Sequence, residues 1–249
     1  MKKLTIGTYN ICGCRNFSNY TPENTNTTPQ PILTSKAIDK IGADILGLNE
    51  VFCDGVDEYF KNQVDKLAIL SGYPFNFYAL GRKWDDIGTI GNGILSKYEI
   101  RNIETIKVDS IPLNERKPDF WYEERVILKA TVDIDGKMVD FIQTHFGLDT
   151  KEAQNMMEKL TKVIDEAKNP IVLMGDFNFE PDNPILKPLF DKLVSVQKFV
   201  KNTEYTWASY KPQITIDYIF VSKDIKINSF EVVKVFDSDH FPLKAEIEI

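Results

Sequence analysis

Apolar, strand-like runs that end on a carboxylate, an amide or an imidazole recur along this chain, at Asn10, Glu50, His145, Asp176, Asn178, Asp217, Asp239 and His240. A run of aliphatic and β-branched residues gains by burial in a sheet, whereas a charged or amide end is costly to bury unless it finds a partner. Taken singly, each position reads as an Asx turn, a helix cap or a surface charge. Eight of them, with the chain's two histidines both included, make coincidence a poor account. Histidine changes charge nearest neutrality and is the usual proton handler. The chain is therefore expected to fold around strands whose ends carry chemistry.

The rest of the pattern fits many strands and few helices. Residues 4–10, 44–50, 75–80, 91–96, 125–134, 139–144, 170–175, 214–221, 225–235 and 242–249 have strand composition or alternation, and Gly136 offers a hairpin turn. Residues 32–41, 57–70 and 151–167 have helical spacing, clearest in the last through Met156, Met157, Leu160, Val163 and Ile164. Residues 12–31, crowded with Asn, Thr and Pro, read as a long loop of the kind that often carries function. No internal repeat or low-complexity linker divides the chain, so residues 1–249 are expected to form one domain. Paired sheets flanked by helices are the architecture this set suggests.

Composition narrows the partners. The 249 residues are 43% hydrophobic and 27% charged, as in ordinary soluble globular proteins. A net charge of −7 announces no broad basic surface for nucleic acid, although a bound divalent cation can invert the local field. Met1-Lys2-Lys3 is a basic tip with no apolar run behind it, and it reads as neither a signal peptide nor a lipid anchor. No stretch approaches the length of a membrane span. Cys12, Cys14 and Cys53 are an odd set, better matched to free thiols in a reducing cytoplasm than to a disulfide framework. A cytoplasmic location is expected. Without histidines close by, Cys12 and Cys14 do not suggest zinc.

Three segments carry the sharpest chemistry. In Met174-Gly175-Asp176-Phe177-Asn178, alternation predicts Asp176 and Asn178 on one side and Phe177 in the core. A carboxylate beside an amide can orient a water and hydrogen-bond a developing phosphoryl oxygen. Ser238-Asp239-His240 sets an oxygen ligand next to a base. Asp217 lies in an otherwise apolar strand, where it needs a partner, and a histidine ring N–H would serve while fixing the tautomer.

Taken in order, seven motifs resemble those of the endonuclease/exonuclease/phosphatase family, metal-dependent phosphoesterases with the deoxyribonuclease I fold. They are Thr8-Tyr9-Asn10-Ile11, Leu48-Asn49-Glu50, Gly91-Asn92-Gly93-Ile94-Leu95-Ser96, Gln143-Thr144-His145, Gly175-Asp176-Phe177-Asn178, Ile216-Asp217-Tyr218-Ile219 and Ser238-Asp239-His240. The resemblance implies an α+β fold, a four-layer α/β/β/α sandwich of two mixed sheets packed face to face, with the active site at one end. It implies Glu50 as the principal ligand of a divalent metal, helped by Asn10 and Asp239. Mg²⁺ or Mn²⁺ suits such an oxygen-rich set. His240, oriented by Asp217, would activate the attacking water or stabilise the phosphorane. Asp176 and Asn178 would position water and transition-state oxygens, and His145 would contact phosphate or protonate the leaving group.

Some positions depart from the family pattern. Asn49 stands where the family usually has Gln, which shifts a contact behind the metal ligand. Arg125 matches an arginine that often faces the site in bacterial relatives and also reads as a strand-end surface charge. Glu124 and Asp149 are candidates for the acid that orients His145.

The motifs define the reaction better than the substrate. The loop 12–31 carries a single Arg15, and Asp54, Asp57 and Glu58 follow Glu50, so a groove for long nucleic acid is not favoured. Lys83-Trp84 and Phe120-Trp121-Tyr122 read either as packing or as a surface that stacks a base or covers a lipid-like group. The expectation is a divalent-metal-dependent phosphodiesterase or phosphatase with no membrane anchor, acting on a small or locally presented phosphate ester. A nuclease of the same family is the alternative enzyme. A non-catalytic phosphate- or protein-binding module on the same fold is the alternative from another class.

Overall fold

A computed structural model describes every residue except 1, 22, 26, 85–87 and 200–203. The first six strands are β1 (Lys3–Asn10), β2 (Ile45–Cys53), β3 (Phe75–Trp84), β4 (Gly88–Ser96), β5 (Ile100–Val108) and β6 (Arg125–Ile134). The others are β7 (Lys137–His145), β8 (Ile171–Asp176), β9 (Val194–Ser195), β10 (Asp217–Val221), β11 (Lys226–Val232) and β12 (Leu243–Glu248). Four α-helices accompany them: α1 (Pro31–Ile41), α2 (Gln63–Leu70), α3 (Thr150–Glu166) and α4 (Lys187–Lys192).

The strands form two six-stranded mixed sheets, in the orders β11-β12-β1-β2-β4-β3 and β5-β6-β7-β8-β10-β9. Each sheet has one parallel pair at its heart, β1 with β2 and β7 with β8. Parallel neighbours need a long crossover, and α1 and α3 supply it. Beside each parallel pair runs an antiparallel strand, β12 along β1 and β10 along β8. The β1–β12 ladder aligns Lys3 with Glu248, so the two ends of the chain lie side by side.

Alternation along the strands places one apolar set between the sheets. Leu4, Ile6, Ile45 and Ile94 of the first sheet meet Leu128, Phe141, Val172, Met174 and Ile219 of the second. The outer faces are covered by helices. Ile38, Ile41, Val64 and Leu67 of α1 and α2 pack on Tyr9, Leu46 and Leu48. Met156, Leu160 and Ile164 of α3 pack on Ile127, Ile142 and Leu173. These contacts make the expected α/β/β/α sandwich.

Local chemistry sets the helix ends. Pro31 starts α1, where a missing N–H costs nothing, and Gly42 closes it at φ 63° with its N–H on the Ile38 carbonyl. The Asp149 side chain accepts from the Lys151 N–H to cap α3. Asp135 and Gly136, at φ 52° and 93°, turn the β6–β7 hairpin in the conformation that matches strand twist.

Two expectations change. The helix expected over 57–70 is confined to α2, preceded by a short 3-10 turn at Glu58–Phe60 that Asp57 caps. Strand β5 escapes the sequence reading because Ile100, Ile103 and Ile106 recur every third residue. A register shift between Ile100 and Asn102 accounts for part of that spacing. Among the described residues no helix is long and apolar enough to cross a membrane.

Candidate active site

Strand register gathers the polar ends. Asp217 of β10 is aligned with Asp176 of β8, and Asp176 with His145 of β7, so one row across three strands holds three of the expected residues. In the facing sheet Asn10 aligns with Asn49, beside Glu50. The two rows meet where the Asn10 amide donates to the Glu50 carboxylate and to the Asp176 carboxylate, both at 3.0 Å. Ser238 ties the final segment in by donating to the Asn10 carbonyl at 2.7 Å.

Glu50 reaches the cleft through an irregularity. The β2–β4 register shifts between Leu48 and Val51, and Glu50 takes φ 55°. Such a left-handed non-glycine residue costs on the order of 1–3 kcal/mol and is found where function over-determines the backbone. The bulge turns Asn49 inward and Glu50 toward Asn10.

Asn49 is buried, and its amide is saturated. It donates to the Asn92 side chain at 2.8 Å and to the Thr144 carbonyl at 2.9 Å. It accepts from Gln143 at 2.9 Å and from the Asp176 backbone N–H at 3.1 Å. The departure from Gln thus sits in a bridge between the sheets, directly behind Glu50 and Asp176. Gly47 makes room for this bridge, since a Cβ there would lie 1.9 Å from the Gln143 amide oxygen. Asn49→Ala is expected to destabilise the fold by about 2–4 kcal/mol, because it strands several buried polar groups at once. Chemical denaturation measures this, and an unchanged midpoint would contradict the bridge.

His240 is held as the sequence anticipates. Its Nδ1 lies 2.9 Å from Asp217 Oδ2, and its Nε2 lies 3.6 Å from Asp176 Oδ2. Burial disfavours its charged form, yet the negative charges of Asp217, Asp176 and Asp239 outweigh burial and hold the imidazole well above its ordinary value. Burial pushes the Asp176 carboxyl up to about 7, with His240 opposing and Asp217 adding to the rise. Glu50 is raised first by desolvation and then by the charge of Asp239, while the Asn10 amide opposes the shift.

Asn178 lies just past the end of β8 at φ 55°, so the simple alternation argument gives way to an Asx turn. Its backbone N–H donates to Asp176 Oδ1 at 2.9 Å, and its side chain donates to the Phe146 carbonyl at 2.9 Å. Phe177 is fully buried, as expected.

His145 has a partner that neither candidate acid supplies. Glu124 pairs with Arg82 at 3.8 Å, and Asp149 caps α3 and binds Lys117 at 2.8 Å. The residues that reach His145 are Arg125, 2.8 Å from Nδ1, and behind it Glu123, 2.8 Å from the same guanidinium nitrogen. Glu123 lies just before β6, outside the strand, so no alternation rule in the sequence singles it out from Glu124; the fold alone turns its carboxylate onto Arg125. Burial, Arg125 and His240 all push the His145 imidazole well below its ordinary value.

These groups open into a cleft of about 480 Å³. Glu50, Asp176, Asp239, His145 and His240 form its floor. Asp239 is half-buried and accepts from the Trp207 ring N–H at 3.3 Å. One wall is aromatic, with Phe52 and Trp84 centred 6.2 Å apart and Trp84 and Trp121 5.8 Å apart, both edge-on. Trp84 and Trp121 therefore line the cleft, whereas Tyr122 is buried. Arg15 also lines the cleft, its guanidinium over the Phe60 ring at 5.7 Å.

The donors near Asn10 suit a hard cation. The Asn10 amide binds the Glu50 carboxylate, and Asp239 lies close enough for its charge to raise Glu50, a set of oxygen-bearing groups of the kind a hard cation takes. Asp176, Asp217 and His240 also bring donor atoms within 4.8 Å of one another. There, however, the facing atoms of His240 and Asp217 already satisfy each other.

The fold has counterparts among known proteins. The family model of the endonuclease/exonuclease/phosphatase family matches residues 7–240. No curated protein matches the sequence. An endonuclease/exonuclease/phosphatase structure from Beutenbergia cavernae is 21% identical with TM-score 0.78, the match covering 100% of this chain and 72% of that one. A mannosyl-6-phosphatase from Bacteroides thetaiotaomicron is 18% identical with TM-score 0.73, covering 99% of this chain and 100% of that one. The human nocturnin catalytic domain with a bound sulfate anion is 20% identical with TM-score 0.70, covering 99% of this chain and 93% of that one. At these identities the structures share the fold, and the family match spans nearly the whole sequence. This chain belongs to the endonuclease/exonuclease/phosphatase family.

Proposed function

We propose that this protein hydrolyses a small phosphate ester by attack of an activated water, using a divalent cation held by Glu50, Asn10 and Asp239. The observation that carries the reading is the Asp217–His240 pair, 2.9 Å apart, whose second ring nitrogen points to Asp176 across the cation donors. Asp217 holds the Nδ1 proton, and Nε2, once it has given up its own proton as pH rises, can take that of an attacking water. Asp176 and Asn178 orient that water and the equatorial oxygens, and His145 contacts the phosphoryl group. When bound, Mg²⁺ or Mn²⁺ would offset the negative charge of the phosphoryl oxygens.

The cleft supports a small substrate. Its floor is acidic and Arg15 and Arg125 are the cations lining it, a poor track for a long polyanion. The aromatic wall suits the flat or apolar face of a ring-bearing alcohol. The similarity to a mannosyl-6-phosphatase makes sugar phosphates early members of a test panel. That panel comprises bis-p-nitrophenyl phosphate, p-nitrophenyl phosphate, hexose 6-phosphates and supercoiled plasmid, each with Mg²⁺, Mn²⁺ and chelator. Metal-dependent release from a small ester with intact plasmid is expected. Turnover in chelator contradicts the mechanism, and plasmid nicking in preference to small esters favours the nuclease.

Protons and cation should compete for the site. An unfolded Asp titrates near about 4, so Asp176, raised to about 7, holds its proton in the folded state across that window. Its contribution to stability is present below about 4 and is lost as pH rises through about 7. His240 is likewise raised, and its contribution fades as pH climbs above the ordinary histidine value. Cation binding is expected to displace protons from this cluster and to strengthen as pH rises through neutrality. Calorimetry of Mg²⁺ or Mn²⁺ binding near pH 6 in buffers of different ionisation enthalpy tests this. Heats that do not depend on the buffer would refute it.

A further inference from the structure

The two histidines of the cleft hang from opposite kinds of partner. His240 Nδ1 faces a carboxylate, which accepts, so that nitrogen carries a proton whether the ring is neutral or charged. His145 Nδ1 faces Arg125 Nη1 at 2.8 Å. A guanidinium has five N–H donors, no acceptor, and does not deprotonate in proteins. The bond therefore has one direction. Arg125 donates, His145 Nδ1 accepts, and the neutral ring must carry its proton on Nε2. That nitrogen looks into the cleft, 3.5 Å from Asp176 Oδ2 and 4.0 Å from Glu50 Oε1.

The supports of this arrangement are closed off. The side chains of Glu123 and Arg125 are 7% and 10% exposed, and that of His145 is 9% exposed. Glu123 Oε1 binds the same guanidinium nitrogen at 2.8 Å, so breaking the pair would leave a buried charge uncompensated. The guanidinium is thus held where it meets the ring.

We infer that Glu123 and Arg125 are positioning residues that lock His145 in the Nε2–H tautomer. His145 then meets a phosphoryl oxygen as a fixed hydrogen-bond donor, and His240 alone is left as the base. A ring with a bare Nδ1 held by a cation cannot exchange roles with one whose Nδ1–H is held by an anion. What the donor is for rests on the phosphoesterase reading; the tautomer does not.

Only two imidazoles are present, so long-range proton–nitrogen NMR of ¹⁵N-labelled protein reads both rings in one spectrum. His240→Ala assigns them. The expected wild-type result is one ring, His145, with unprotonated Nδ1 and protonated Nε2, and a second ring with a proton on Nδ1. A wild-type His145 protonated on Nδ1 overturns the inference with no variant needed. Arg125→Met should let the His145 pattern switch or average, and Arg125→Lys, which keeps a charged donor, should restore it in part. A bare Nδ1 that persists in Arg125→Met also overturns the inference. In turnover, Arg125→Met is expected to lower kcat about 10- to 100-fold, with KM less affected. The spectrum is read on the folded protein whether or not it is active. Absent activity therefore overturns the phosphoesterase reading alone, and a wrong tautomer overturns this inference alone.

Discussion

His240→Ala is expected to lower turnover of an activated phosphodiester by about three orders of magnitude, near the middle of what a positioned general base supplies. Cation affinity should change far less, since His240 is not among the proposed ligands. Asp217→Asn is the companion change. Its amide can offer the ring a donor as well as an acceptor, so the tautomer is no longer imposed, and the raised proton affinity of His240 loses its first supporting charge. It should fall between wild type and His240→Ala. Single-turnover rates with saturating Mn²⁺ separate these effects from binding. An Asp217→Asn rate equal to wild type would show that the pair has no catalytic part.

Glu50→Gln should uncouple stability from activity. Glu50 is held against desolvation and the charge of Asp239, so the neutral amide relieves the metal-free protein of a like-charge contact. The variant without metal is expected to melt a few degrees above wild type, as when a site organised for function is neutralised. Mg²⁺ or Mn²⁺ is expected to raise the melting temperature of the wild type but not of the variant, and turnover should drop by several kcal/mol of transition-state stabilisation. Thermal scans with and without cation make the measurement. A Glu50→Gln protein that still gains stability from the cation would remove Glu50 from the ligand set.

The polar strand ends were legible in the sequence because burial makes them costly anywhere but at a shared edge. Asp217 is the clearest case: a carboxylate inside an apolar strand demanded a histidine, and His240 meets it. Paired sheets flanked by helices followed from many strands with few helices, and the four-layer form from the family resemblance. What sequence alone did not yield depends on register. The partner of His145 turned on which of two adjacent glutamates, both ahead of β6, the fold brings to Arg125, and it is Glu123. Alternation carries the strand through Asn178, whereas β8 ends two residues earlier, at Asp176, and Asn178 takes a left-handed backbone. Strand β5 was missed because its isoleucines imitate the spacing of a helix. The role of Asn49 was also out of reach, since a saturated amide between two sheets involves four partners distant in the chain.

The bond from Ser238 to the Asn10 carbonyl joins residues 228 positions apart, and β12 must lie along β1 before it can form. The floor of the cleft is therefore a long-range object, built on contacts of high sequence separation. Chains of that kind close their topology slowly, because loop entropy is lost before the contacts that reward it. A chain emerging during synthesis holds Asn10 and Glu50 long before Asp217, Asp239 and His240, which complete the floor. Recovery of activity on refolding should accordingly trail the recovery of helical signal, with competence arriving as β12 pairs with β1.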